Sequence, residues 1–228
     1  MTRKRRLSPL ITHEKPKTAI SEEFRGIRTN ISFSSVEDDI QTLIITSEKP
    51  AVGKSTITAN VAITYAQAGY KTLIIDGDMR KPTQHYIFNV ENINGLSTLI
   101  VQNGEKENPV ISTFIENLFL LPSGPIPPNP SELIASNRFA EIFKKLKTEF
   151  DIILVDTPPV IAVTDAQVFS RLTENAVLVI DVENNNRDEI LKSKNLIKNA
   201  GGKILGVILN KVPEYKSTSN YDYYYEEK

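Results

Sequence analysis

Five short apolar runs, rich in branched residues, constrain the fold of this 228-residue chain more than any other feature. They lie at 42–47, 72–77, 151–156, 176–182 and 203–210. Their apolar residues are continuous rather than alternating, which is typical of parallel strands buried on both faces. Residues 117–122 are a candidate for an additional strand. Helical patterns such as 55–69 fall between the runs, so we expect an α/β fold with a mostly parallel, doubly wound sheet and flanking helices.

Composition narrows the class of protein. With 40% hydrophobic residues the chain is long enough for one substantial core, and a net charge of −1 argues against nucleic acid as a partner. The absence of cysteine fits a reducing cytoplasm. There is no apolar run near 18 residues and no signal-peptide core. We therefore expect a cytoplasmic protein that reaches a membrane only through a partner or a basic segment.

The two ends of the chain differ from its body. We divide it into a basic mobile arm (1–18), a folded domain (19–212) and a flexible tyrosine-rich tail (213–228). The arm either attracts anionic lipid or is an unstructured start. The tail holds five of the eight tyrosines, namely Tyr215, Tyr221, Tyr223, Tyr224 and Tyr225. Aromatic side chains normally fill cores and interfaces, so this cluster indicates a role other than packing.

A phosphate-binding loop follows the first predicted strand, in the stretch "SEKPAVGKST". Backbone N–H groups and the helix start would face a phosphate, Lys54 would reach the β/γ oxygens, and Ser55 would bind Mg²⁺. Two departures from the strict pattern are Glu48 and Ala51, at positions often held by glycine. The candidate nucleotide contacts here are Pro50, Ala51, Val52, Gly53, Lys54, Ser55 and Thr56.

Carboxylates follow two other predicted strands. Asp156 ends the run at 151–156, whereas Asp76 and Asp78 follow the strand after the P-loop helix. The carboxyl ends of parallel strands form the ligand crevice of such sheets, and an aspartate there can hold Mg²⁺. Arg80 comes next, and either holds a phosphate or a neighbouring subunit, or pairs with an acid.

The end of the last predicted strand indicates which nucleotide, ATP or GTP, the chain binds. Asn210 is a candidate nucleotide contact, and Lys211 follows it. Guanine-specific P-loop proteins carry an aspartate two residues beyond such a lysine, but this chain has Pro213 there. The sequence therefore favours ATP over GTP.

The stretches "PAVGKST", "LIIDGDMR" and "ILVDTPP" together resemble the Walker A, A′ and B motifs of bacterial tyrosine kinases (BY-kinases). The form they resemble is the split one, in which the kinase is a separate cytoplasmic chain of the CapB type. "SEEFRGIRTN" matches the E-x-x-R-x-x-R motif of that family at Glu22, Arg25 and Arg28, and "GPIPPNPSEL" resembles another of its signatures. The resemblance covers essentially the whole chain, with the motifs in the family's order.

The resemblance implies a P-loop fold of the deviant-Walker class that uses ATP and Mg²⁺ to phosphorylate protein tyrosines. It implies autophosphorylation of the tail tyrosines in trans within a homo-oligomeric ring, an octamer in the family, with Glu22, Arg25 and Arg28 at the subunit contact. It also implies a membrane-anchored activator of the chain-length-determinant type, which recruits the kinase to the inner face of the membrane, and control of capsule or exopolysaccharide synthesis.

Each polar side chain of the site then has an expected role. Ser55 and Asp156 belong to the Mg²⁺ sphere, and Lys54 carries charge of the transferring phosphoryl group. A phenol has a pKa near 10 and benefits from a base, so Asp76 would accept the tyrosyl proton. Asp78 would support the metal or its water, and the roles of Asp76 and Asp78 are interchangeable at this stage.

Two other functions compete with the kinase. A ParA- or MinD-like positioning ATPase carries a signature lysine where this chain has Lys49, but the tyrosine tail and Arg80 are features against it. An inactive nucleotide-binding scaffold with a docking tail is the other alternative. Substitution of Lys54 distinguishes the three functions. It would abolish phosphotyrosine in a kinase and ATP-dependent localisation in a positioning ATPase, and it would cause no biochemical change in a scaffold.

Overall fold

The computed structural model describes residues 8–34, 40–102 and 108–213, and the tail tyrosines therefore lie outside the described residues. Seven strands are found in the described ranges, and they form one sheet. The strands are β1 (Thr42–Ser47), β2 (Thr72–Asp76), β3 (Ile111–Ser112), β4 (Leu118–Leu121), β5 (Ile152–Asp156), β6 (Asn175–Asp181) and β7 (Lys203–Asn210).

The order of the strands is β3-β4-β2-β5-β1-β6-β7. All pairs are parallel except β3 with β4. The five predicted strands and the candidate sixth are thus confirmed, as is the doubly wound α/β class. The two-residue β3 was not predicted, because so short a segment carries no hydrophobic pattern.

Helices cover both faces of the sheet. In the part of the chain that the structure describes they are α1 (Ile11–Glu14), α2 (Ala19–Phe33), α3 (Lys54–Gln67), α4 (Gln84–Phe88), α5 (Leu96–Val101), α6 (Pro130–Ile134), α7 (Asn137–Glu149), α8 (Asp165–Thr173) and α9 (Arg187–Asn199). Within the described residues, no helix is both long enough and apolar enough to cross a membrane.

The central strand β1 shows why the apolar runs are continuous. Leu43 and Ile45 pack on the face that α3 covers, whereas Ile44 packs on the opposite face with α7 and α8. Both faces of the strand are therefore buried, and every position of β1 needs a side chain that tolerates burial. Since β1, β2, β5, β6 and β7 are parallel, their carboxyl ends meet at one edge of the sheet.

The start of the chain differs from the predicted division at residue 18. Leu10 and Ile11 are buried, and the backbone N–H of Thr12 donates to Oδ1 of Asn60 in α3 at 3.0 Å. The Nδ2 group of Asn60 in turn donates to the carbonyl of Pro9 at 2.7 Å. Residues from about 9 onward are therefore packed against the domain, because their apolar side chains and backbone groups find partners there.

Candidate active site

The P-loop connects β1 to α3, and its backbone explains its glycine. Gly53 precedes the helix with φ of 95°, in the left-handed region. A Cβ atom at Gly53 would lie 2.4 Å from Nδ2 of Asn210. Glycine meets both demands, the positive φ and the close approach. Ala51 has φ of 63° although it carries a side chain, so the loop holds alanine in a conformation that favours glycine.

The end of β7 supports this loop from one side. The Nδ2 group of Asn210 donates to the carbonyl of Val52 at 2.7 Å, and Nζ of Lys211 donates to the carbonyl of Ala51 at 3.2 Å. Lys211 also pairs with Oδ2 of Asp181, at the end of β6, at 2.7 Å. These contacts tie two carbonyls of the loop to the end of β7, and the backbone N–H groups of such a loop can bind a phosphate.

Lys54 and Ser55 are the first two residues of α3. Lys54 is buried, Ser55 is half-buried and Thr56 is exposed. The positive charge of Lys54 acts to lower the pKa of both Asp156 and Asp78, which places it among the site's carboxylates. The structure thus brings together the P-loop lysine and the carboxylates that the sequence predicted.

Asp76 and Asp156 are direct neighbours across the β2–β5 pair, and each is fully buried. Burial raises the pKa of both carboxyls, and the negative charge of Asp156 raises that of Asp76 further. The Ser55 hydroxyl and Gln84 act in the opposite direction on Asp156. Two carboxylates this close together in a buried site cannot both be ionised without a large cost in free energy, unless a cation binds beside them.

Each of these carboxylates uses only one oxygen for regular hydrogen bonds. Oδ2 of Asp76 accepts from the backbone N–H groups of Thr83 and Gln84 at 3.0 and 2.9 Å. Oδ2 of Asp156 accepts from the side-chain Nε2 of Gln84 at 2.8 Å. Among the described residues, Oδ1 of Asp76 and Oδ1 of Asp156 have no hydrogen-bond partner.

Asp78 lies nearer to solvent than this pair. Its Oδ1 accepts from the backbone N–H of Lys81 at 3.0 Å. Burial raises its pKa, although the hydrogen bond from Lys81 and the charge of Lys54 counteract this effect. Asp78 is therefore accessible to a group that enters from solvent, whereas Asp76, the last residue of β2, is fully buried.

These donors fit Mg²⁺. Mg²⁺ prefers oxygen ligands and is commonly held by one or two carboxylates together with substrate phosphates and water. The unpartnered Oδ1 of Asp156 offers one such ligand, and the Ser55 hydroxyl, which acts on the Asp156 carboxyl, offers another. In the described part of the chain no three His, Cys, Asp or Glu side chains form a metal site by themselves. The arrangement suits a cation that arrives with a nucleotide.

Arg80 pairs with an acid, which is one of the two predicted alternatives. Its Nε and Nη2 donate to the two carboxylate oxygens of Asp165 at 3.0 and 3.2 Å, and Asp165 is fully buried. Ser131, in the "GPIPPNPSEL" stretch, also donates to Asp165. Arg80 therefore ties the loop after β2 to α6 and α8.

The E-x-x-R-x-x-R residues lie on α2, away from the carboxylates. Arg28 donates to the carbonyl of Thr64 in α3 at 2.6 Å. Arg25 pairs with Glu22 and donates to the carbonyl of Pro16 at 2.8 Å. Both arginines thus help to hold α2 within its own chain.

Two residues near the P-loop complete this description. Lys49, the signature position of the rival class, donates to the carbonyl of Asn184 in its own chain. Glu48 is buried, and burial raises its pKa.

Gln84 is a residue of the site that the sequence analysis did not identify. It is fully buried, and its Nε2 donates both to Asp156 and to the carbonyl of Ser55, the latter at 3.1 Å. The only signal for it in the sequence is its place eight residues after Asp76, at the start of a helix of five residues. That signal is not specific.

Comparison with known proteins places these features in context. A family model described as an AAA domain matches residues 40–199. A protein named as tyrosine-protein kinase CapB, from Staphylococcus aureus, is 58% identical over 225 residues, which cover 99% of each chain. Tyrosine-protein kinase YwqD of Bacillus subtilis is 39% identical over 215 residues, which cover 94% of this chain and 90% of YwqD.

Solved structures show the same relationship. The chimerical protein CapA2B2 superimposes with a TM-score of 0.87 at 57% identity, covering 91% of each chain. The kinase domain of the Escherichia coli tyrosine kinase ETK gives a TM-score of 0.86 at 31% identity, covering 96% of this chain and 86% of that domain. MinD of Pyrococcus horikoshii, complexed with Mg-ADP, superimposes with a TM-score of 0.65 at 28% identity, covering 77% of this chain and 72% of the MinD chain.

Proposed function

This chain belongs to the bacterial tyrosine kinases, in the split form of the CapB type, and from that premise we propose the reaction that its site performs. It transfers the γ-phosphoryl group of ATP, with Mg²⁺, to tyrosines in the tail of a neighbouring copy. The target tyrosines are Tyr215, Tyr221, Tyr223, Tyr224 and Tyr225. The observation that carries the proposal is the buried pair Asp76 and Asp156, each with an unpartnered oxygen.

The P-loop binds and orients the nucleotide. The first N–H groups of α3 and the loop face the phosphates, and Lys54 balances the charge of the transferring group. Ser55 and Asp156 would hold the Mg²⁺, with Asp78 in support, and the cation would supply charge neutralisation for the phosphoryl transfer. Asn210 fixes the loop through Val52 and lies at the nucleotide's edge of the sheet.

A carboxylate receives the tyrosyl proton. The raised pKa of Asp76 suits a proton acceptor, since a base works best when its pKa lies near the working pH. The unpartnered Oδ1 of Asp76 is the accepting atom in this proposal. Asp78 is the alternative acceptor, because it lies nearer to solvent, and the single Asn variants at the two positions distinguish them.

The tail acts in trans within a ring. Fifteen residues follow Pro213, and a flexible segment of that length has a typical end-to-end distance of roughly 20–25 Å. This reach is enough to enter an adjacent subunit. We place Glu22, Arg25 and Arg28 at the contact between subunits of the ring, an octamer, where they would act in addition to their contacts within the chain.

An activator and a pathway complete the proposal. The name of the CapA2B2 chimera combines a CapA with a CapB designation, which supports a second protein as partner. We propose a membrane-anchored activator of the chain-length-determinant type, whose cytoplasmic tail recruits the kinase to the inner face of the membrane. The function of the pair is control of capsule or exopolysaccharide synthesis.

The experiment that tests this function maps phosphate on the protein. The full chain, mixed with the cytoplasmic tail of the activator, is incubated with MgATP and analysed by intact mass and peptide sequencing. Several phosphates confined to residues 215–225 are expected, and none with Lys54→Met. A second control replaces the five tail tyrosines by Phe, and ATP binding should then remain while the phosphate signal is lost.

Other outcomes would contradict the proposal. ATP turnover without protein-bound phosphate would indicate the positioning ATPase. Absence of both turnover and phosphate, with nucleotide still bound, would indicate the scaffold.

A further inference from the structure

Gln84 joins the two buried carboxylates of the site. Its backbone N–H donates to Oδ2 of Asp76 at 2.9 Å, and its side-chain Nε2 donates to Oδ2 of Asp156 at 2.8 Å. The same Nε2 reaches the carbonyl of Ser55 at 3.1 Å. One residue therefore contacts the Walker A, A′ and B segments at once.

The orientation of the Gln84 amide is fixed by its neighbours. The backbone carbonyl of Ser55 can only accept hydrogen bonds, so the NH₂ group of Gln84 must face it, and Oδ2 of Asp156 lies on the same side of the amide. Oε1 of Gln84 then points the other way, where it is buried and has no hydrogen-bond partner among the described residues. The amide is thus held in one of its two flipped states by the site itself.

The result is a matched pair of carboxylates. In both Asp76 and Asp156, Oδ2 is held by Gln84 and Oδ1 is left without a partner. A buried polar atom without a partner costs about 1–3 kcal/mol. Three such atoms around one residue, the two Oδ1 atoms and Oε1 of Gln84, indicate a place built to receive polar groups.

A neutral donor is needed for this arrangement. A lysine or arginine at position 84 would also hold the carboxylates, but it would neutralise their charge and compete with a cation. The amide of Gln84 orients the carboxylates without adding a positive charge of its own. The side chain also spans the distance between α4 and the end of β5, which a shorter amide would not.

We infer that Gln84 is a positioning residue, which anchors Oδ2 of Asp76 and Asp156 so that their Oδ1 atoms face the Mg²⁺–nucleotide complex. The inference rests on the proposed function, because it takes the two carboxylates as the polar groups of the kinase reaction. Residues that orient metal-binding side chains typically contribute 10- to 100-fold to metal affinity or activity. Gln84 acts through the aspartates and need not contact the substrate.

The test is Gln84→Met in the full chain. This change keeps the length of the side chain and the backbone N–H to Asp76, and it removes the donor to Asp156. A fluorescent ADP analogue is titrated with Mg²⁺, and the Mg²⁺ concentration at half-saturation should rise about 10- to 100-fold. Nucleotide binding in EDTA should not change. With the activator tail present, kcat should fall by a similar factor while KM for a tyrosine peptide stays within about twofold.

Two further variants make the test decisive. Gln84→Asn keeps an amide, but its side chain is one methylene shorter, so this variant should also raise the Mg²⁺ requirement. It provides the same test if the Met variant fails to fold. Gln41→Met is the matched control, because Gln41 donates through Nε2 to the carbonyls of Lys147 and Phe150, at the other edge of the sheet. It should leave the Mg²⁺ titration unchanged.

Contradicting results are distinct from failure of the proposed function. A folded Gln84 variant with a wild-type Mg²⁺ titration would overturn the positioning role, and so would a variant that loses nucleotide affinity equally in EDTA. If the wild-type chain transfers no phosphate at all, the proposed function fails, yet the Mg²⁺ titration still decides the role of Gln84.

Discussion

Asp76, Asp156 and Asp181 each end a parallel strand at the same edge of the sheet, yet their surroundings differ. Asp76 and Asp156 are held by neutral donors, and burial raises their pKa. Asp181 accepts from Nζ of Lys211 at 2.7 Å and from the N–H of Glu183 at 3.1 Å. The hydrogen bond and the charge of Lys211 lower the pKa of Asp181.

This contrast separates two uses of the same residue at the same kind of position. A carboxylate with its own lysine is a structural anchor, and here it supports the P-loop through Lys211 and the carbonyl of Ala51. A carboxylate beside another carboxylate, with an amide as its hydrogen-bond donor, is not neutralised by that donor and can take up a cation or a proton. The strand-end position alone does not distinguish them.

Asp76→Asn should produce the largest effect. It removes the proposed proton acceptor, and phosphate transfer to the tail should fall about 100- to 10,000-fold. The same change should stabilise the nucleotide-free protein at pH 7–8, because folding then no longer has to bury or neutralise a carboxylate beside Asp156. The rate is measured by phosphate incorporation and the free energy of unfolding by urea titration in EDTA. Loss of both activity and stability would contradict the assignment.

The free energy of unfolding should depend on pH in opposite ways for variants of Asp76 and Asp181. The folded-state pKa of Asp76 lies above its unfolded value, so its destabilising contribution is absent at low pH and grows as pH rises through the folded pKa. The stability advantage of Asp76→Asn should therefore shrink on acidification. Asp181→Asn is the matched control with the opposite sign: its folded pKa is lowered, so that variant should be less stable at neutral pH and approach wild type as pH falls.

Lys211→Met should have an intermediate effect. It releases Asp181 and the carbonyl of Ala51, so the P-loop loses one support while Asn210 still holds Val52. Loss of a hydrogen bond of this kind should weaken nucleotide binding about 2- to 10-fold. Calorimetric titration with ADP and Mg²⁺ measures this loss of affinity. The control is Lys203→Met, because Lys203 is exposed and lies at the opposite end of β7. A loss as large as that of Asp76→Asn would show that the two regions are not distinct in role.

The sequence predicted the fold well for a physical reason. A strand buried on both faces needs side chains that tolerate burial at almost every position, and the continuous apolar centres of β1, β2, β5 and β6 keep this pattern. The edge strand β7 is partly exposed, but its run was long enough to be recognised. The packing of residues 9–12 was missed because a single helical turn has too few residues to show a period.

The candidate site was predicted in part. Lys54, Asp76 and Asp156 stand at strand and helix ends that topology brings together, so position along the chain was sufficient for them. Gln84 and Asp165 were not found, because their contacts depend on the path of loops and short helices rather than on a repeating pattern. A strand-end aspartate such as Asp181 shows the limit of the same rule, since its lysine partner comes 30 residues later.

Ala51→Gly should have the smallest effect, on stability. Ala51 is exposed and has φ of 63°, in a region that costs an alanine roughly 1–2 kcal/mol. Glycine relieves this strain but loses about 0.5–1 kcal/mol in backbone entropy, so the net gain in unfolding free energy should be about 0.5–1 kcal/mol. Ala135→Gly is the control: Ala135 is also exposed, but its φ is −76°, so the change should destabilise. Equal losses at both positions would mean that the P-loop holds alanine without strain, and that the departure from glycine has no energetic cost.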